Sequence, residues 1–452
     1  MKKSIKILSL ILSVFLVMQV GVFGASAKSD YTIVSPYADV VWSGNNAWGA
    51  YKGTLHSHTT YSDADVDLAT MVKGYYERGF DFLANAEHGI TGVEWNKAPE
   101  NYGLYFYQAL IGNKYAHLTD EEFEGITSGT YQNRGKGMTC VTGANEFGCF
   151  TLTKSHVNGY FLPTEAGFMW DGGENSFEEA VKYIDEQGGL SHINHPGDWL
   201  ESKYHPENVN DPESISYFGD IILKYDSCLG TEVLNERNSP TNYDRILWDN
   251  LLMYCLPYGK NVLGYSNTDA HHLGTIDTSY MVFMMEENNV ENIKKTMQSG
   301  AFFSVTRLLR DNPFEIGPAK GFDYTNTDKP YPMFSNVNVK DHSISVNYTD
   351  AKQIQWIANG KVIAKEAVNG NGTYTLNLDK IANAEDFLYV RAEILGDGGM
   401  CLTQPFVIDN GTAPEKFEEK NDLETFLNKI LFEIKSSRIY VIFQELVRLI
   451  KD

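Results

Sequence analysis

Two motifs, each a pair of side chains spaced by two, constrain this chain more than any other feature. In Leu55-His56-Ser57-His58-Thr59-Thr60-Tyr61-Ser62-Asp63 the imidazoles of His56 and His58 are two residues apart. On a β-strand such side chains point the same way, and Asp63 stands just beyond the strand end. The spacing returns far downstream in Asp269-Ala270-His271, again after an apolar run. One His-x-His pair has an ordinary structural explanation. Two such motifs at strand ends point to a metal site, because imidazole and carboxylate are metal donors.

The chain between them reads as alternating strands and helices. Asp67 to Arg78 carries Leu68, Met71, Val72 and Tyr75 at helical spacing, with Gly79 as its stop. Phe80 to Ala86 is a short apolar strand ending in Glu87-His88-Gly89. Residues 95–135 lack a clear period and read as an insertion with short helices. Thr139 to Thr142 leads to Gly143-Ala144-Asn145-Glu146, and Ser155-His156 leads into a strand around Val157 to Phe161. Ser176 caps a helix to Gln187, with Glu178 and Glu179 in its first turn and Gly188-Gly189 after it. Leu190 to Pro196 is a strand ending in His195-Pro196. Gly230 to Asn235 is another strand, and a helix follows from Tyr243 to Tyr254. Asn261 to Ser266 delivers Asp269 and His271; Val290 to Met297 is helical, and Ala301 to Val305 follows. Repeated β-then-α units with polar strand ends predict a parallel α/β barrel with its site on the C-terminal face.

The two ends of the chain have a different texture. Lys2, Lys3 and Lys6, an apolar run from Ile7 to Phe23 and Ala25-Ser26-Ala27 read as a secretory signal peptide over residues 1–27. The mature protein is therefore expected to be secreted or associated with the cell surface. From Pro313 the pattern alternates with period two, in Ser343 to Tyr348, Tyr374 to Leu378 and Leu388 to Val390. Asn359-Gly360 between two apolar pairs is a hairpin signal. This predicts a small β-sandwich over 311–410, after a barrel over 28–310. Its expected role is to buttress the barrel, with carbohydrate binding as the alternative. In 411–452, Leu423, Phe426, Leu427, Ile430 and Ile434, then Ile439, Ile442, Phe443, Leu446 and Ile450, recur at helical spacing. Two amphipathic helices are expected there, docking on the protein rather than on a membrane.

The formal charge of −22 is spread along the chain, and loss of residues 1–27 removes three lysines and no acid, leaving −25. Without a basic stripe, nucleic acid is not an expected partner. Five widely spaced cysteines form no CxxC pair, so neither a cysteine zinc site nor a disulfide framework is indicated. Cys140–Cys149 is a conceivable but disfavoured bridge.

Collected, the polar strand-end residues are His56, His58, Asp63, His88, Glu146, His156, His195, Asp269 and His271, which include six of the eleven histidines. Donors without thiolate suit zinc, manganese or iron, and nine exceed the four that one tetrahedral ion needs. Two or three divalent ions are therefore expected. His192 and His272 flank the motifs and read as structural; His117, His205 and His342 read as surface residues. Lys154 and Arg237, near strand ends, are candidates for holding a phosphate.

At these residues the chain resembles the polymerase and histidinol phosphatase (PHP) family of metal-dependent phosphoesterases. The matching segments, in the family's order, are TLHSHTTYSD, GFDFLANAEHG, VTGANEFG, SHVNGYF, GGLSHINHPG and YSNTDAHH, covering roughly 50–310. The resemblance implies a distorted seven-stranded βα barrel with a trinuclear centre. It implies that His56, His58, Glu146 and Asp269 hold one ion, that Glu146 bridges to a second held by His156 and His195, and that Asp63, His88 and His271 hold the third. Three positions depart from the family: Thr54 replaces an Asp, Ala86-Glu87-His88 replaces Thr-Asp-His, and Ala64 replaces a Gly. Gly53 and Thr54 are similar to a secreted branch that includes carbamate-ester hydrolases such as carbaryl-hydrolase-like enzymes.

The implied activity is hydrolysis of a small-molecule phosphate ester by a metal-bridging hydroxide, with Glu146, Asp269 and His195 as catalytic residues. Carboxylic or carbamate ester or amide hydrolysis at the same centre is the alternative. The amidohydrolases also begin with His-x-His but lack counterparts of Glu146, His156 and Asp-x-His. A surface adhesion or glycan-binding protein with a vestigial barrel is the non-enzymatic reading, and the intact ligand set argues against it.

Overall fold

The computed structural model describes residues 31–99, 115–148, 155–164, 176–235, 243–307, 329–419 and 423–435. The expected signal peptide, the second C-terminal helix, Lys154 and Arg237 lie outside the described residues.

Helices form where a cap and an apolar face coincide. Asp67 opens α1 (Leu68–Glu77), its carboxylate accepting from the Thr70 amide at 2.9 Å, and Leu68, Met71, Val72 and Tyr75 are buried. Within the expected insertion, Thr119 and Glu122 close a capping box on α2 (Asp120–Ser128). Ser176 caps α3 (Phe177–Glu186), which buries Phe177, Ala180, Val181 and Ile184. Further along are α4 (Pro196–Trp199), α5 (Pro212–Lys224), α6 (Asp244–Cys255), α7 (Val290–Ser299) and α8 (Leu423–Lys435). No helix among the described residues is long and apolar enough to cross a membrane.

The strands of the first part are β1 (Thr32–Val34), β2 (Gly49–Thr54), β3 (Phe82–Leu83), β4 (Thr139–Cys140), β5 (Asn145–Phe147), β6 (Val157–Tyr160), β7 (Leu190–Ile193), β8 (Cys228–Asn235), β9 (Leu263–Asn267), β10 (Ser279–Met285) and β11 (Phe302–Thr306). β2, β3 and β4 run parallel, as do β7, β8 and β9. They belong to different sheets, which touch at two isolated bridges, Ser57 with Ala270 and His88 with Glu146. Both contacts fall on or beside the metal motifs.

The architecture is mixed α/β, and its pairings are not those of an all-parallel closed barrel. β6 runs antiparallel to both β5 and β7. Only residues 148–156 link β5 to β6, whereas a parallel pairing needs a crossover of about a dozen residues or more. β10 likewise lies antiparallel to β2. An apolar run in the sequence marks a strand but carries no sign of its direction.

The alternating segments beyond Pro313 form β12 (Met333–Lys340), β13 (Ser343–Ala358), β14 (Lys361–Asn377), β15 (Tyr389–Gly396), β16 (Gly399–Leu402) and β17 (Phe406–Asp409). Asn359 and Gly360 turn the β13–β14 hairpin at φ 45° and 70°. These strands are not a sheet apart. β16 pairs with β11 and joins them to β10 and β2 in one twelve-stranded sheet, and β1 adds to β17. Alternation shows which face of a strand is buried, not which neighbour its edge will find. Cys140, Cys228, Cys255 and Cys401 are free thiols, and Cys149, the other half of the disfavoured Cys140–Cys149 bridge, lies outside the described residues.

Candidate metal centre

The two spaced motifs are tied to each other through their backbones. The His58 amide donates to the Ala270 carbonyl at 3.1 Å, and the Asp269 amide donates to the His56 carbonyl at 3.0 Å. Both motifs lie just past the ends of β2 and β9, so the similarity of their spacing reflects one shared ladder. Glu146 sits on β5, its amide donating to the Glu87 carbonyl at 3.3 Å, which brings it beside His88. His156 immediately precedes β6, and His195 follows β7 at the start of α4. His195 and Asp269 adopt φ of 24° and 43°, a left-handed conformation that non-glycine residues avoid. Such residues cost about 1–3 kcal/mol each and cluster at functional sites.

All nine sequence-predicted residues come together. His56 Nε2 lies 3.1 Å from His58 Nε2, 3.2 Å from Glu146 Oε2 and 3.2 Å from Asp269 Oδ1. His58 Nε2 lies 3.0 Å from that Glu146 oxygen and 3.2 Å from that Asp269 oxygen. Donors on a tetrahedral ion, each about 2.0–2.1 Å from it, stand about 3.3 Å from one another. The spacing therefore suits a single ion between these four groups. Two further groups of convergent donors adjoin it: His88, Glu146 and His156, and His58, Asp63 and His271. His195 Nε2 approaches Glu146 Oε1 at 3.3 Å and Asp269 Oδ2 at 3.8 Å. His88 Nε2 stands 3.3 Å from Glu146 and 3.7 Å from Asp63, so it faces two of the positions.

The donor set fits a divalent cation on two further grounds. His156 Nε2 and Asp269 Oδ1 are buried with no hydrogen-bond partner among the described residues. Buried polar atoms are seldom left so unless an ion or water completes them. The charges also favour cations. Burial opposes charge on Glu146 and Asp269, yet the surrounding imidazoles, His56 foremost, hold both carboxyls well below the usual range. Burial would lower His58 and His195, but Asp269 and Glu146 outweigh it and raise them to about 9 and about 10. His88 goes the other way, lowered by burial to about 4. The most exposed donors are Asp63 and His271, at 34% and 29% of the side chain, and they mark the open side of the site.

Sequence reasoning passed over the groups behind these donors. Glu232 on β8 is fully buried and accepts from His56 Nδ1 at 2.9 Å. Glu87 accepts from the Thr59 amide at 3.0 Å, the Thr59 hydroxyl at 2.6 Å and the Ser62 hydroxyl, which in turn lies 3.2 Å from His58 Nδ1. Asn194 donates to Glu146 Oε1 at 2.7 Å. The available signal for Glu232 was a lone acid in an otherwise uncharged strand, Cys228 to Asn235. For Glu87 it was adjacency to His88.

The flanking histidines fall elsewhere. His192 hydrogen-bonds Tyr160 at 2.8 Å and stacks on Tyr265, and His272 pairs with Asp65 at the surface. His117 and His205 are exposed. His342 is not a free surface residue: it stacks on Tyr31 and bonds Asp379 and the Tyr31 carbonyl.

No family model and no curated protein matches the chain. Among solved structures, a two-domain protein from Bacteroides vulgatus containing a predicted PHP-like metal-dependent phosphoesterase aligns over 80% of this chain and 96% of its own, at 14% identity and TM-score 0.41. A lesion-specific endonuclease from Pyrococcus furiosus aligns over 55% of this chain and 56% of its own, at 14% identity and TM-score 0.32. An amidohydrolase from Chromobacterium violaceum aligns over 48% and 87%, at 12% identity and TM-score 0.26. Likenesses this loose decide nothing about chemistry.

Proposed function

We propose that the chain is a secreted metal-dependent hydrolase of small-molecule phosphate esters, working with two or three divalent ions of zinc, manganese or iron. The observation that carries the reading is the convergence of His56 Nε2, His58 Nε2, Glu146 Oε2 and Asp269 Oδ1. Bound divalent ions would supply Lewis acidity and lower the pKa of water toward neutrality, the chemistry of phosphoester hydrolysis. Glu146 turns Oε2 toward His56 and His58 and Oε1 toward His156 and His195, so one carboxylate serves two positions. Asp63 and His271, the least buried donors, face the approach of substrate. His195 Nε2, between Glu146 and Asp269, is placed to hold a proton at the edge of the same cluster. Adjacent cation positions suit a phosphate because its negative charge is spread over several oxygens that need stabilising together. Secretion rests on the apolar leader at residues 1–27.

The test is metal content per purified chain followed by turnover on aryl phosphates, aryl phosphodiesters, nucleic acid and aryl esters. Two or three equivalents of metal with phosphate hydrolysis are expected. Ester or amide turnover alone would assign the same donors to carboxyl chemistry. Less than one equivalent, with no turnover after metal is restored, would remove the centre.

A further inference from the structure

Behind the donors, one buried side chain touches two of them from a third strand. Glu232 Oε1 lies 2.9 Å from His56 Nδ1 and accepts from Asn267 Nδ2 at 2.9 Å. Its Oε2 accepts from the His195 backbone amide at 3.0 Å and from Asn235 Nδ2 at 2.8 Å. Three of these partners are N–H groups that can only donate. A carboxylate has only acceptors to offer, so the fourth, His56 Nδ1, donates as well.

That contact settles the tautomer of the neutral ring. With the proton on Nδ1, the lone pair of His56 is on Nε2, the atom facing His58, Glu146 and Asp269. The second contact acts on backbone. His195 holds φ at 24°, and its amide is fixed by Glu232 Oε2. Asn267 locks the arrangement to the neighbouring strand: its Oδ1 accepts from the Leu55 amide at 2.9 Å while its Nδ2 donates to Glu232.

Resting on the metal centre proposed above, we infer that Glu232 is a positioning residue that sets the tautomer of His56 and the strained backbone of His195 at once. Its negative charge also makes the His56 imidazole a stronger donor. No other carboxylate among the described residues bonds both a donor's ring nitrogen and another donor's backbone amide.

The variant that separates charge from shape is Glu232→Gln. Its amide must present a donor to one of the two donor pairs, so it cannot satisfy both. Zinc is the probe, with affinity read by competition against a chelator in the full chain. The parent's own zinc content tests the centre; the ratio of variant to parent tests Glu232. An affinity about 10–100-fold weaker is expected, with the metal-free form melting as the parent does. Unchanged affinity overturns the role. So does a variant whose metal-free form also melts far below the parent, which would make Glu232 a support of the fold. A second measurement does not depend on the variant folding. In the zinc-loaded parent, long-range proton–nitrogen NMR should find His56 protonated on Nδ1 and bare on Nε2; a proton on Nε2 overturns the assignment.

Discussion

Two clusters of buried charge lie in this molecule, and they are built on opposite plans. In the first, Arg391 clamps Asp249 through Nε at 2.8 Å and Nη2 at 2.7 Å and reaches Glu393 at 2.7 Å. Arg245 meets both Glu393 oxygens at 3.0 Å, and Gln355 and Tyr389 complete the carboxylates. Two guanidiniums face two carboxylates, every carboxylate oxygen receives a donor, and the cluster bolts α6 to β15. In the second, around Glu146, carboxylate oxygens and imidazole nitrogens converge on one another at hydrogen-bond distance, and buried His156 Nε2 and Asp269 Oδ1 have no hydrogen bond among the described residues. Burying a charge is costly unless it is paired. The first cluster supplies its own counter-charge and is structural. The second has only protonated imidazoles as counter-charge, which a divalent cation can displace, and that is the mark of a cation site.

The contrast can be broken most directly at Glu146. Glu146→Gln removes the charge shared by two donor groups, so we expect bound metal to fall by at least half and turnover to drop on the order of 10³-fold, with the chain still folded. Metal analysis and kinetics on the same sample check it. Retained metal would mean the converging donors are structural after all.

The complementary change is Arg391→Met, which leaves Asp249 and Glu393 short of their partner. Denaturant unfolding should show a loss of about 3–5 kcal/mol, the cost of stranding a buried charge, while metal per folded chain stays at the parent value. Loss of metal in step with stability would merge the two clusters into one.

The smallest effect, and the one that sharpens the comparison, is in protons. His58 and His195 are raised to about 9 and about 10, so in the metal-free protein both are protonated at pH 7. Their ion pairs stabilise the metal-free fold fully below about pH 6.5, the ordinary histidine value, and that contribution is lost as pH rises through about 9 to 10. Metal must displace those protons, so calorimetry at pH 7 in buffers of different ionisation enthalpy should show proton release on binding, and affinity should rise toward pH 9. Metal binding at pH 7 without proton release would contradict the charge state argued here. The Arg391 cluster has no such exchange to make.

Most of the donors were legible because they are histidines or acids at or beside the ends of apolar runs, a pattern that local sequence displays. The helices at 68–77 and 177–186 were legible for the same kind of reason, since the cap and the buried face lie within one or two turns. Glu232 was not, because its partners are 176 residues away at His56 and 37 away at His195, and a single acid in a strand has no local signature. Strand direction was also hidden. β6 reverses because its connection is short, and β16 joins β11 through an edge that alternation does not specify.

By itself, then, the sequence determined the inventory: which side chains can bind a metal, where helices start and stop, and where alternating strands begin. Only the tertiary structure decided the grouping: that Glu146 sits among five imidazoles, that Glu232 stands behind two of the donors, and that the β-rich part continues the same sheet. The physical reason is range. Caps, periods and turns act over a few residues and are written locally, whereas a charge cluster or a sheet edge is completed by groups whose distance along the chain carries no information about their distance in space.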